Sequence, residues 1–271
     1  MRQACSLRAL PAGMSAVLAF LLAVLGLGLL APSAQAQTGR YVALGDSYSA
    51  GVGAGSYDGA SGNCKRSTKA YPALWAAAHA PSSFAFVACS GAKTGDVLNG
   101  QISAVTSTTT LVSISIGGND AGFADVMTTC VLQSENSCLN AVAKARAFAD
   151  NQLPGLLDQV YAAIKSRAPG AHVVVMGYSR LYKIGGSCWF GIGDTKRRAL
   201  NGAADELDTV IAKRAADAGF TFGDVRPPFT GHEVCSGSAW LHSTTLPVDE
   251  SYHPTATGQA QGYLPVFAAA A

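Results

Sequence analysis

Five short apolar runs, separated by longer helical patterns, constrain this 271-residue chain more than any other feature. Residues 40–44, 84–88, 111–116 and 172–176 are short and mostly rich in β-branched or aromatic side chains, and a weaker fifth run centres on Thr221 and Phe222. Runs of this kind read as strands buried on both faces. Between them lie an Ala-rich helix over residues 71–80, helical spacing over 141–167 divided by Pro154, and an amphipathic helix over 196–218. A last helix is expected over 257–267. Strands alternating with helices imply an α/β domain with a parallel sheet covered on both faces. Ligands of such sheets sit outside the carboxyl ends of the strands, so the residues just after each strand carry the functional expectation.

Those residues are Gly45-Asp46-Ser47-Tyr48-Ser49, then Cys89-Ser90-Gly91-Ala92, then Gly117-Gly118-Asn119-Asp120. Just before the final helix stands Asp249-Glu250-Ser251-Tyr252-His253-Pro254. These are the parts of an acyl-transfer site. A serine hydroxyl is a weak nucleophile until a base takes its proton. His253 can take it near neutral pH, and a carboxylate can hold the imidazole in the right tautomer. The Ser47 N–H, the Gly91 N–H and the Asn119 amide can hold a tetrahedral oxyanion.

The amino terminus reads as an export signal. Arg2 and Arg8 precede an uncharged, mostly apolar stretch over residues 14–30, and Ala34-Gln35-Ala36 offers a cleavage site. We expect residues 1–36 to be removed and residues 37–271 to form one secreted, extracellular domain. A retained membrane anchor is the alternative, since 17 residues is marginal for a span. Cleavage removes both arginines, leaving 17 basic and 17 acidic residues. A neutral chain of this kind gives no footprint for nucleic acid. Cleavage also removes Cys5 and leaves six cysteines, at 64, 89, 130, 138, 188 and 235. An even set in an exported protein reads as disulfides. Fifteen pairings are open to it. The expectation is sequential, Cys64–Cys89, Cys130–Cys138 and Cys188–Cys235. No C-x-x-C pair suggests zinc, and neither metal nor cofactor is expected.

Taken together, Gly45-Asp46-Ser47, Gly91, Gly117-x-Asn119-Asp120 and His253-Pro254 resemble the four sequence blocks of the GDSL, or SGNH, hydrolases. The usual leucine of the first block is Tyr48 here. With the six cysteines, this variant is similar to secreted lipases and esterases of Streptomyces and related actinobacteria. The resemblance runs over about residues 40–267. It implies a three-layer, flavodoxin-like α/β/α sandwich around a five-stranded parallel sheet, and a metal-free carboxylic ester hydrolase. It carries over Ser47 as nucleophile, His253 as base and acid, and Ser47, Gly91 and Asn119 as oxyanion donors. The family's acidic residue falls at Glu250, with a backbone carbonyl or Asp249 as alternatives for orienting His253. The expected substrate is a fatty-acyl ester such as a triacylglycerol. The alternatives are phospholipid acyl hydrolysis, sugar-ester deacetylation, and a catalytically silent lipid- or glycan-binding module. A monomer without stable membrane insertion is expected.

Other features take plainer readings. Asp46 is read as structural and Asp120 as a cap for the helix that follows it. Lys196-Arg197-Arg198 reads as a solvated helix face. Gly51-Val-Gly53-Ala-Gly55 lacks the Lys-Ser/Thr of a phosphate loop. His79, His172, His232 and His242 have no metal-ligand spacing. Trp189, Phe190, Phe229, Trp240 and Leu241 are candidates for an acyl groove, although packing is the preferred reading for each.

Overall fold

A computed structural model describes residues 39–188 and 191–271, so the expected leader and the pair Trp189 and Phe190 lie outside the described residues. Five strands form one sheet: β1 (Arg40–Gly45), β2 (Ser83–Phe86), β3 (Thr109–Ser115), β4 (His172–Met176) and β5 (Thr221–Gly223). Their order is β2-β1-β3-β4-β5, and every neighbouring pair is parallel. Val42, Leu44, Val112, Ile114, Val174 and Val175 are buried along the three central strands. Continuous apolar runs, rather than alternating ones, are what a sheet covered on both faces requires.

Nine helices are described between and after the strands: α1 (Ser47–Ala50), α2 (Tyr71–His79), α3 (Thr94–Asn99), α4 (Phe123–Leu132), α5 (Glu135–Asn151), α6 (Leu153–Arg167), α7 (Asp194–Ala218), α8 (Arg226–Phe229) and α9 (Leu264–Ala270). Pro154 does divide the long helical stretch, sitting in the first turn of α6, where its missing N–H breaks no helical bond. The final helix is split into a π turn, Gly258–Tyr263, and α9. The α/β class and the five-stranded parallel sheet therefore stand as expected. All three sequential disulfides, Cys64–Cys89, Cys130–Cys138 and Cys188–Cys235, are formed.

The basic triplet on α7 departs from its plain reading. Only Arg198 is a solvated side chain, 66% exposed and paired with Asp194. Lys196 donates to the Cys130 and Gln133 carbonyls at the end of α4, at 2.7 and 2.6 Å. Arg197 is buried and donates to the carbonyls of Ile192, Lys183 and Gly186. Carbonyls left open by a helix end or an irregular loop need donors, and long cations reach them where local sequence gives no sign.

Strand order reverses at β1, which lies between β2 and β3. Chain leaving β1 and chain leaving β3 therefore part in different directions and open a crevice at their carboxyl ends. The three motifs that follow β1, β2 and β3 all converge there.

Candidate active site

The turn that carries Ser47 begins at Gly45, whose φ of +120° lies in the region that favours glycine. A Cβ there would collide with the Ser115 carbonyl. Asp46 then caps α1: its Oδ1 accepts from the Tyr48 N–H at 3.0 Å and from the Ser115 hydroxyl at 2.7 Å. Its Oδ2 accepts from the Tyr178 hydroxyl. Burial pushes the Asp46 carboxyl up to about 6, against the lowering effect of these donated bonds. Gln101 bonds both the N–H and the carbonyl of Gly45, at 2.7 and 2.9 Å. Ser47 is the first residue of α1, so its N–H lies among those a helix cannot satisfy internally.

The second and third motifs bring Gly91 and Asn119 to the same cleft as Ser47. Gly91 has φ +77°, and the flanking N–H groups of Ser90 and Ala92 are bonded to the Cys64 and Cys89 carbonyls. The Cys64–Cys89 bridge anchors this turn two residues away. Asn119 donates one amide hydrogen to the Ala92 carbonyl at 3.0 Å, which aims its other hydrogen and joins the second motif to the third. Asp120 accepts from the Thr94 hydroxyl at 2.6 Å and the Thr94 N–H at 3.0 Å. It therefore caps α3, not the helix that follows it, because the converging loops place the start of α3 nearer its carboxylate.

The histidine arrives from the far end of the chain. His253 Nε2 lies 2.7 Å from Ser47 Oγ, and its Nδ1 lies 3.1 Å from the Ser251 carbonyl. A carbonyl only accepts, so Nδ1 carries the hydrogen and Nε2 is free to accept from Ser47. Burial pushes the imidazole down to about 4, opposed by the Ser251 carbonyl. The ring is neutral at pH 7 and ready to take a proton. Tyr252, just before it, has φ +65°, a strained value for a residue with a Cβ. That conformation is held by the Tyr48 hydroxyl, which donates to the Tyr252 carbonyl at 2.8 Å. Gly53 completes the fit: a Cβ there would meet His253 Cβ at 3.0 Å and the Pro254 carbonyl at 2.9 Å. The glycine run is thus a seat for the histidine loop.

Two apolar spaces share Ser47, Asn119 and Phe123 in their walls. One is an open cleft of about 450 Å³ lined further by Met127, Val131, Leu132, Val248 and His253. The other, of about 80 Å³, lies between α5 and α7 beneath Tyr178, with Val126, Ala149, Leu200 and Leu207 in its wall.

Residues 43–261 match the GDSL-like lipase/acylhydrolase family. The chain belongs to that family. It is 64% identical to a lipase of Streptomyces coelicolor over 258 residues, 95% of this chain and 96% of that one. Among solved structures it is similar to an extracellular lipase of Streptomyces rimosus, with 65% identity and a TM-score of 0.84. It is equally similar to a phospholipase A1 of Streptomyces albidoflavus, with 61% identity and a TM-score of 0.85. Each alignment covers 86% of this chain and 100% of the other.

Against the family pattern, Ser47, Gly91, Asn119 and His253 come together in one place, and Glu250 does not join them. The Glu250 carboxylate accepts from the Tyr57 hydroxyl at 2.8 Å. Asp249 pairs with Lys65. Both carboxylates are thus engaged by other side chains, Asp249 acting on the ring only through its charge, and the turn at Tyr252 brings the Ser251 carbonyl to Nδ1. Among the described groove candidates, the preferred packing reading holds. Phe229 and Leu241 are buried, and Trp240 stacks on His232 with centroids 3.6 Å apart. The cleft takes its apolar wall from α4, which the sequence reading left without an element.

Two further residues escaped that reading. Tyr178 touches both sides of the site: its hydroxyl donates to Asp46 and accepts from the Gly118 N–H at 3.2 Å. Tyr178 follows β4 by two positions, so the rule applied after the first three strands would have found it. Gln259 bonds the Tyr71 N–H and the Tyr48 carbonyl, at 2.9 and 3.0 Å. Nothing in its local sequence marks it.

Proposed function

We propose that this chain hydrolyses fatty-acyl esters, triacylglycerols among them, through an acyl-enzyme on Ser47. The observation that carries the reading is the relay from Ser47 Oγ through His253 to the Ser251 carbonyl, opening into an apolar cleft. Ser47 passes its proton to His253 Nε2 as its oxygen attacks the ester carbonyl. The imidazolium that forms is stabilised through Nδ1–H by the Ser251 carbonyl. Charge on the substrate oxygen is met by the Ser47 and Gly91 N–H groups and the free hydrogen of Asn119. His253 then gives its proton to the departing alcohol. Water repeats the cycle: His253 accepts a proton from it, the acyl group leaves as the acid, and Ser47 recovers its hydrogen. The apolar lining favours fatty chains over acetylated sugars.

A phospholipid acyl ester is the second reading, favoured by the likeness to the Streptomyces albidoflavus phospholipase A1. The two separate by rates on triacylglycerol and phosphatidylcholine with matched chains. Secretion after cleavage at Ala36 is supported by the three disulfides and by the likeness to an extracellular lipase. The deciding test is Ser47→Ala. Hydrolysis of p-nitrophenyl butyrate should fall by roughly five to six orders of magnitude, with the circular-dichroism spectrum unchanged. Labelling of the parent, but not the variant, by a fluorophosphonate probe excludes a silent binding module. Activity retained in the variant would refute the assignment.

A further inference from the structure

We propose that the rim of the cleft is a docking surface for aggregated ester lipid whose face is uncharged or zwitterionic. The proposal deepens the fatty-acyl reading of the cleft and rests on it. Leu132, Leu246 and Val248 are large apolar side chains left in solvent, at 76, 89 and 70% exposure. Single exposed apolar residues are ordinary, but a group of them around one opening marks a contact surface. Leu132 and Val248 stand in the wall of the cleft that holds Ser47 and His253, and Leu246 lies two residues from Val248.

Their mounts are short and tied down. Leu132 ends α4 inside the ring closed by Cys130–Cys138. Leu246 and Val248 flank Pro247 in a loop pinned by the Ser251 hydroxyl, which bonds the Thr245 N–H at 2.9 Å, and by Tyr252 and Thr244, whose hydroxyls lie 2.8 Å apart. Side chains already held in place lose little freedom on docking, so more of their transfer free energy appears as affinity.

Charge selects the partner. Residues 131–138 and 241–252 contain no lysine or arginine. The cations that reach these two stretches are already engaged: Lys65 pairs with Asp249, and Lys196 donates to the Cys130 and Gln133 carbonyls beside Leu132. Glu135, the first residue of α5, is acidic and exposed. Anionic lipid faces are recognised by clusters of basic residues, which this rim lacks. The attraction left is apolar contact. Fully withdrawing a leucine or valine side chain from water strengthens binding about tenfold or more.

The test uses the full chain carrying Ser47→Ala, floated with phosphatidylcholine vesicles. Binding is expected at low salt and equally in 0.5 M salt, without strengthening when anionic lipid is added. Replacing Leu132, Leu246 and Val248 together by Ser should weaken it about a hundredfold. Absence of binding, unchanged binding of the triple variant, or loss of binding in salt would overturn the proposal. So would a dimer that the same substitutions dissociate, since the rim would then belong to a second copy. In the active chain, Leu246→Ser should leave turnover of dissolved p-nitrophenyl butyrate within twofold while cutting turnover of a triacylglycerol emulsion fivefold or more. Equal emulsion rates overturn the rim. A parent that hydrolyses no dissolved ester breaks the fatty-acyl reading itself.

Discussion

The two halves of the Ser47–His253 pair are held in different ways. Ser47 stands on a turn fixed to the sheet: Gly45 is bonded by Gln101, and Asp46 is bonded by Ser115 and Tyr178, which come from or just after β3 and β4. His253 stands on a loop with only a 3-10 turn, braced from outside by Tyr48, by Tyr57 through Glu250, and by His242, whose Nε2 lies 2.8 Å from the Gly53 carbonyl. Backbone geometry of a strand end aims Ser47, while side-chain bonds across loops aim His253. Substitutions on the two sides should therefore differ in kind: loss of rate with loss of stability near Ser47, and tolerance near His253 wherever a backbone group makes the decisive contact.

The largest effect expected beyond Ser47 and His253 themselves is at the oxyanion. Asn119→Ala should lower kcat by about a hundred- to a thousandfold with little change in KM, measured on a dissolved ester. A smaller loss would put the oxyanion charge on the two backbone donors alone.

The pH–rate profile tests the histidine side. Protonated His253 cannot accept from Ser47, so activity falls as pH drops through its pKa. Burial lowers that value from 6.5 to about 4, and the acid limb should move down with it. At pH 5 this keeps activity about thirtyfold above that of a site governed by an ordinary histidine. A midpoint of kcat/KM at 6.5 or above would show that the ring is solvated when free of substrate.

Tyr178→Phe tests the sheet side. It removes one donor from Asp46 and one acceptor from the Gly118 N–H. Stability should fall by about 1.5–3 kcal/mol, the range for a hydrogen bond to a charged group, and kcat by roughly tenfold. Donated bonds lower the carboxyl's pKa, so the Asp46 titration near 6 should move upward in the variant. Infrared difference spectra of the carboxylate would follow it.

The smallest effect is expected at Glu250. Glu250→Gln keeps an oxygen for the Tyr57 hydroxyl and leaves the Ser251 carbonyl on Nδ1. Activity should stay within about threefold of the parent. A hundredfold loss would return the acidic role to Glu250.

Much of this molecule is legible in its sequence. The strands read clearly because a parallel sheet buries both faces, which leaves unbroken apolar runs such as residues 172–176, the observed β4. The motifs after β1, β2 and β3 read clearly because small, polar and hydroxyl residues directly after a buried strand have few structural uses. Helix α4 was missed: its run Val126-Met127-Thr128-Thr129-Cys130-Val131 is β-branched, and its burial is partial because one side forms the cleft.

The sequence by itself determined the layer architecture, the motif order and the chemistry that Ser47, His253, Gly91 and Asn119 can perform. Each of these follows from local pattern or from what a side chain's atoms can do. Only the tertiary structure decided which acceptor faces His253, where Asp120 caps, what Lys196 and Arg197 bind, and which apolar residues line the cleft. Glu250, Asp249 and the Ser251 carbonyl lie within three consecutive residues. Choosing among them depends on the direction of one carbonyl, set by the φ of +65° at Tyr252 and by the distant Tyr48 hydroxyl that holds it. Contacts between residues 48 and 252 have no local signature, because they exist only once the sheet has brought the two ends of the chain together.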